Sequence, residues 1–169
     1  MNSTRHPLAS GGFTLIELVI TVALVGLMSM MALPLYDIAT ERMRESELRQ
    51  ALRTIRQGLD AYKAAVEDGR LAHEPGASGY PASLELLTEP LELLGKRDLS
   101  GSLAAQRMVI LRRLPRDPFN SDVDIPAAQT WRTRAYASRA DDPQPGDDVF
   151  DVSSKSDRTA LDGTKYSNW

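Results

Sequence analysis

The distribution of apolar residues divides the chain into two parts. Residues 13–36 are almost uniformly apolar, and Glu17 is the only residue among them expected to carry a charge. About 20 apolar residues are enough for a helix to cross the hydrocarbon core of a bilayer. The segment 13–36 is therefore predicted to be a membrane-inserting helix.

After Pro34 the pattern becomes amphipathic. Apolar residues recur at alternating steps of four and three, which places them on one stripe of a helix. They are Leu48, Leu52, Ile55, Leu59, Tyr62 and Val66. Asp68-Gly69 supplies a stop signal, so residues 13 to about 68 are predicted to form one nearly continuous helix, about 80 Å long at 1.5 Å per residue.

Gly26 and Pro34 are the weak points of this helix. Glycine lowers helix propensity, and proline removes a backbone donor and clashes with the preceding turn. Two consequences stay open from the residues alone. The segment between them kinks or unwinds, or Pro34 merely bends the helix at the membrane surface.

The remainder of the chain is predicted to contain a small antiparallel sheet. Residues 131–138 and 149–153 are the best strand candidates, and the polar segment 141–148 separates them. Residues 83–94 predict one or two short helices, whereas 108–111 is a buried apolar piece that is either strand or helix. We expect an α+β fold in which about three strands pack on the second half of the long helix.

Charge and composition narrow the possible functions. The chain has 169 residues and a net charge of −3, which argues against a nucleic-acid-binding surface. One part of the helix is locally basic, with Arg42, Arg44, Arg49, Arg53 and Arg56. The interleaved Glu41, Glu45 and Glu47 favour a solvated or subunit-facing surface there. No arrangement of residues is typical of catalysis, so a structural subunit rather than an enzyme is predicted.

Glu17 is a candidate functional residue, because a carboxylate just inside a membrane helix is costly unless a cation meets it. A simpler role, in which Glu17 lies at the level of the lipid headgroups, stays open from this residue alone. The preceding segment is short and polar and ends in Gly11-Gly12. A secretory signal places its apolar region before the cleavage site, whereas here it follows the glycines. Cleavage after Gly12 would keep the helix on the mature protein and make Phe13 its amino terminus.

The segment Gly12-Phe13-Thr14-Leu15-Ile16-Glu17 resembles the prepilin cleavage and methylation motif of type IV pilins and of the pseudopilins of bacterial type II secretion. The resemblance implies that a prepilin peptidase cuts after Gly12 and methylates the amine of Phe13. It also implies that Glu17 pairs with the terminal amine of a neighbouring subunit. In related filaments the segment that matches 26–34 loses helical order on assembly.

Three further pieces resemble the G-type, or major, pseudopilin: Tyr80-Pro81, residues 111–119 and the ending 149–169. The absence of cysteine fits pseudopilins better than the many type IV pilins that carry a disulfide. The resemblance implies a type IV pilin-like fold, in which a long amino-terminal helix packs on a small antiparallel sheet.

The implied organisation is a cleaved leader at 1–12, a transmembrane and filament-core helix at 13–36, and a periplasmic globular domain at 37–169 that includes the second half of the helix. Removal of the leader leaves 157 residues and a net charge of −4. Arg5 precedes the span and is expected to stay cytoplasmic, which places the rest outside the inner membrane.

G-type pseudopilins usually hold calcium in a loop after the last strand, and residues 154–157 depart from that pattern. Asp157 and Asp162, with Ser154 or backbone carbonyls, supply the hard oxygen atoms that calcium requires. Nearby basic residues disfavour a cation, and a solvated acidic loop with a turn at Asp162 is the alternative. We expect weak or absent calcium binding and no other cofactor.

The resemblance implies a subunit of a homo-oligomeric type II secretion pseudopilus that supports protein export. Its expected partners are minor pseudopilins, the prepilin peptidase, the inner-membrane assembly platform and, before assembly, membrane lipid. Whether the chain is the major subunit or a minor one stays open. Two alternatives are a type IV pilin for adhesion, motility or DNA uptake, and a membrane enzyme or binding module that uses 13–36 only as an anchor.

Overall fold

The computed structural model describes residues 12–94 and 106–169. The predicted leader, apart from Gly12, lies outside the described residues. The structure separates into two compact units, with the division between Glu41 and Arg42. We call them the amino-terminal unit and the carboxyl-terminal unit.

The long helix α1 runs from Leu15 to Glu67, which confirms the predicted helix to within two residues at each end. Its end is a Schellman motif, in which Gly69 adopts φ +67°. The Gly69 N–H donates to the Val66 carbonyl and the Arg70 N–H donates to the Ala65 carbonyl, each at 2.9 Å. These bonds satisfy carbonyls that the last turn would leave without partners.

The helix is continuous across residues 26–34. In the single chain, therefore, neither Gly26 nor Pro34 ends the helix. The expectation that this segment loses order concerns an assembled filament, and it stays a prediction.

The amino-terminal unit presents its apolar side chains outward. Phe13, Leu15 and Met30 are 83%, 82% and 75% exposed, and the large apolar residues between them are exposed as well. Helix α1 lies near the amino terminus and contains a stretch that is long and apolar enough to cross a membrane. This finding confirms the coarse prediction of a candidate membrane span.

The carboxyl-terminal unit is built on the predicted stripe of α1. Leu48, Leu52, Ile55 and Leu59 are at most 2% exposed and form one cluster with buried residues from the rest of the unit. Those partners include Leu84, Leu87, Trp131, Val152 and Tyr166. A second cluster forms where α1 ends and contains Ala65, Val66 and Leu71. The packing of the carboxyl-terminal residues on the second half of the helix is thus confirmed.

Within residues 12–94 and 106–169, the strands form two separate antiparallel pairs. Strand β1 (Leu91–Glu92) pairs with β2 (Arg107–Met108), and β3 (Trp131–Arg134) pairs with β4 (Asp151–Ser154). The α+β class is confirmed, but the expectation of one sheet of about three strands is wrong. Strand β3 is also shorter than the predicted 131–138, because the chain turns after Arg134, with the Ser138 N–H donating to the Ala135 carbonyl.

Residues 83–94 contain one short helix, within the prediction of one or two. One short 3₁₀ helix covers Leu84–Leu87, and Leu91–Glu92 is a strand rather than a second helix. Leu111, at the end of the ambiguous apolar piece, donates its N–H to the Leu87 carbonyl at 2.8 Å. That bond holds the piece against the short helix instead of extending β2.

Candidate functional site

The predicted processing and assembly residues lie at the start of α1. Gly12, Phe13 and Thr14 precede the helix, and Glu17 belongs to its first turn. The Glu17 N–H donates to the Thr14 hydroxyl at 3.3 Å, so Thr14 caps the helix and Glu17 occupies its third position. A carboxylate in this turn also interacts favourably with the positive end of the helix dipole.

This geometry gives Glu17 a local role that the sequence did not reveal. Its side chain is exposed beside apolar residues, including Ile16 and Leu18, that are at least 59% exposed. In the described ranges 12–94 and 106–169, Glu17 forms no ion pair. The carboxylate is thus available to a cation that comes from outside this part of the chain.

Gly12 has no packing role in the described structure. A Cβ atom built on it meets nothing within 4 Å, and Phe13 beside it is 83% exposed. Gly26 is equally open, since a Cβ there also has no neighbour within 4 Å. Within the described residues, therefore, packing does not require glycine at either position.

The two candidate calcium ligands, Asp157 and Asp162, each lie beside an arginine. Asp157 is 4.0 Å from Arg132, and Asp162 is 3.4 Å from Arg49. Ser154, the third candidate, is fully buried and donates its hydroxyl to Asp117. The described residues contain no group of three or more acidic or histidine side chains that could hold a metal. A calcium ion needs several oxygen ligands to converge, and each candidate carboxylate faces an arginine instead, so weak or absent calcium binding stays a prediction.

Asp162 instead organises a turn, as the sequence suggested. Gly163 adopts φ +87°, and Asp162 accepts hydrogen bonds from the N–H and hydroxyl of Thr164 at 2.9 and 2.6 Å. The Thr164 hydroxyl is the main cause that lowers the pKa of Asp162, with Arg49 a smaller one. The carboxylate therefore stays ionised and bonded to the turn at neutral pH, and it loses these bonds when acid protonates it.

We expect calcium to bind weakly or not at all. Isothermal calorimetry on a soluble fragment that begins near Ile38 should show no stoichiometric heat with calcium at micromolar protein concentration. Asp162→Asn is the matched control, because it keeps the acceptor for Thr164 and removes the charge. Tight binding that Asp162→Asn abolishes would contradict this prediction.

Two carboxylates are buried although the sequence pattern did not predict their burial. Glu45 is 7% exposed and accepts bonds from the Leu161 N–H at 2.7 Å and the Tyr166 hydroxyl at 3.1 Å. The interpretation of Glu45 as part of a solvated surface is therefore wrong. The sequence does contain a sign of this burial: Glu45 lies three residues before Leu48, and that spacing places it on the apolar stripe of the helix.

Asp117 is the second of these carboxylates and is 2% exposed. Besides the Ser154 hydroxyl, its carboxylate accepts the Phe119 N–H at 2.8 Å, and its own N–H donates to the Thr130 hydroxyl at 3.2 Å. It thus joins three segments of the carboxyl-terminal unit. The bond from the Phe119 N–H to the Asp117 carboxylate was predictable, because an aspartate followed by proline is typical of a turn that the aspartate side chain closes.

The residues that resemble the prepilin motif lie in one exposed segment, whereas the calcium candidates Asp157 and Asp162 each pair with an arginine. No protein-family model, curated protein or solved structure matched the chain. Support for a function comes from the motif and from the geometry around it.

Proposed function

We propose that this chain is a pseudopilin subunit of a type II secretion system, processed after Gly12 and assembled into a helical filament. One observation carries the proposal: the prepilin-like motif 12–17 stands at the capped start of a helix whose apolar side chains are exposed. The chain acts by assembly and needs no catalytic group of its own.

The exposed span requires an apolar environment. Twelve large apolar side chains between Phe13 and Met30 are exposed. At about 1.5–3 kcal/mol for each side chain buried, moving them out of water is worth roughly 20–35 kcal/mol. Water is therefore excluded as the resting environment, and lipid and then neighbouring subunits are the environments that the proposal assigns.

The exposed carboxylate of Glu17 supports a pairing with the processed amino terminus of a neighbour. In apolar surroundings an unpaired carboxylate is strongly disfavoured, and a charged amine within hydrogen-bonding distance offsets that cost. Since each subunit supplies one amine at Phe13 and one carboxylate at Glu17, the pairing would set the axial register of the filament.

The proposed topology follows from the same segment. The leader with Arg5 stays in the cytoplasm, the span lies in the inner membrane, and the carboxyl-terminal unit lies in the periplasm. After processing, the assembly platform would extract the subunit from lipid into a periplasmic filament, together with minor pseudopilins.

The proposal is tested on the secreted proteins of a strain that lacks this chain. We expect specific exoproteins to accumulate in the periplasm, to return to the medium on complementation, and to stay periplasmic when the complementing chain carries Gly12→Val. This variant is a matched control because a side chain at Gly12 meets nothing in the described structure. Mass spectrometry of the wild-type chain should find a methylated Phe13.

Other outcomes would assign another function. Unchanged secretion together with a methylated Phe13 would favour a type IV pilin, and surface filaments would then be examined. An intact leader on the native chain would favour a membrane anchor for an enzyme or binding module.

A further inference from the structure

The carboxyl-terminal unit carries a basic cleft beside α1. The cleft has a volume of about 620 Å³ and is lined by Arg49, Arg53, Arg56, Lys165 and Trp169, with Leu52 at its base. Asp162 is the acidic residue that lines it. The Arg49 guanidinium lies 4.1 Å from the centroid of the Trp169 ring, so one wall of the cleft is an aromatic face covered by a cation.

A second concavity of the same unit has the opposite character. This tyrosine groove has a volume of about 850 Å³ and is lined by Tyr62, Tyr80 and Tyr136, with Glu74, Asp147 and Asp148 among its other residues. The rings of Tyr80 and Tyr136 stack with centroids 5.8 Å apart. The groove shares no lining residue with the basic cleft.

Each surface has charges that the fold leaves available. Arg49 is paired with Asp162, and Arg56 is paired with Asp151 at 2.7 Å. Arg53 lies between them, is exposed, and makes no ion pair within the described part of the chain. In the groove, the exposed carboxylates of Glu74 and Asp147 likewise make no ion pair with a described residue.

The aromatic side chains around the groove already accept cations from their own chain. The Lys63 ammonium lies 5.6 Å from the centroid of Tyr80 while it donates to the Ser78 carbonyl at 2.8 Å. The Arg134 guanidinium lies 4.6 Å from the centroid of Phe150, and that ring packs against Tyr80 and Tyr136. The groove is lined by both tyrosines and carboxylates. Such a lining binds a guanidinium better than an ammonium, because the planar guanidinium can stack on an aromatic ring and pair with a carboxylate.

We propose that the basic cleft of one copy of this chain docks against the tyrosine groove of a second copy, with Arg53 entering beside Asp147. The inference deepens the proposed function and rests on it, because it names a lateral contact between the subunits of the filament. The charges are complementary: Arg53 on one copy, and Glu74 and Asp147 on the other, make no ion pair within the described part of their own chain. Because the two surfaces differ, the contact is head-to-tail and continues from copy to copy instead of closing a dimer.

Cysteine cross-linking of the full-length chain in its own membranes tests the contact. The chain has no cysteine, so every product must come from introduced thiols. Gln57→Cys is exposed one turn beyond Arg53, and Ala137→Cys lines the tyrosine groove. A chain that carries both changes should give a ladder of covalent oligomers with a short bismaleimide, whereas either single change should give at most a dimer.

Charge exchange provides the matched controls. Arg53→Glu or Asp147→Arg, added to the two-cysteine chain, should lower the yield of the ladder about tenfold, because like charges then meet across the contact. The two changes together restore opposite charges and the original net charge, and should recover the ladder. Neither side chain bonds to the described structure, so both variants are expected to fold.

The outcomes separate this inference from the proposed function. If filaments form and secretion is normal but no ladder appears, the contact is contradicted and the proposed function is not. A ladder that forms in a chain that supports no secretion would overturn the function and keep the contact. A product that stops at a closed dimer, joins only to another protein, or ignores charge reversal would overturn the docking of these two surfaces.

Discussion

Glu17→Gln is expected to be inserted and processed like the wild-type chain but to assemble into filaments about two orders of magnitude less well. Removing one partner of a buried ion pair costs about 3–5 kcal/mol, because the other charge is left uncompensated. Every 1.4 kcal/mol is about tenfold in an equilibrium constant, so the loss is at least about a hundredfold. Glutamine keeps the size of the side chain and the backbone N–H that bonds to Thr14, and it removes only the charge.

The structure supplies a control that separates charge from capping. Thr14→Ala removes the hydroxyl that accepts the Glu17 N–H and costs about 0.5–2 kcal/mol of helix stability, but it keeps the carboxylate. Filament yield, measured by electron microscopy of sheared fractions at equal chain levels, should stay near wild type for Thr14→Ala and collapse for Glu17→Gln. Normal filaments from Glu17→Gln and Glu17→Ala would show that the carboxylate does not set the register.

Trp131→Ala is expected to lower the free energy of unfolding of the carboxyl-terminal unit by about 3–5 kcal/mol, as for other buried tryptophan truncations. Trp131 is 2% exposed and belongs to the cluster that contains the α1 stripe. Its indole N–H donates to the Pro115 carbonyl at 2.9 Å, and it stands opposite Ser154 in the β3–β4 register. The substitution thus leaves a cavity, removes a hydrogen bond and loosens the strand pair at once.

Urea unfolding of the soluble fragment that begins near Ile38, followed by circular dichroism, measures this loss. Trp131→Phe should cost less, because it keeps most of the apolar volume and leaves only the Pro115 carbonyl without its donor, a penalty of about 1–3 kcal/mol. Val123→Ala, at a side chain that is 81% exposed, should change stability by less than about 0.5 kcal/mol. Equal midpoints for the three variants would contradict the placement of Trp131 in the core.

The long helix was predictable because its signals are local and repeated. The stripe from Leu48 to Val66 and the stop at Gly69 each follow from the spacing of neighbouring residues. The two longer strands were also predictable in place, although 131–138 was predicted too long. The chain turns after Arg134, and the turn involves bonds such as that from the Ala135 N–H to the Gln144 carbonyl. The alternation of apolar and polar residues in a strand does not predict such bonds.

The elements that escaped prediction depend on distant partners. Strands β1 and β2 are two residues each and pair across a long separation, so neither has a pattern long enough to recognise. Glu45 looked like one of several solvated acids, and its burial depends on Leu161 and Tyr166, more than a hundred residues away. At the candidate site, the roles of Gly12, Phe13 and Glu17 stay predictions from the motif, and the capping bond from the Glu17 N–H to Thr14 became visible only in the backbone geometry.

The start of α1 at Leu15 would have a consequence for the rate of the proposed processing. The peptide bond between Gly12 and Phe13 lies before the helix, so a peptidase that acts there need not break the hydrogen bonds of the first turn. Opening that turn would remove the nucleus on which the rest of the helix propagates. If the chain is processed after Gly12 as proposed, cleavage would therefore not require the span to unfold, and a more stable helix would not by itself slow its release.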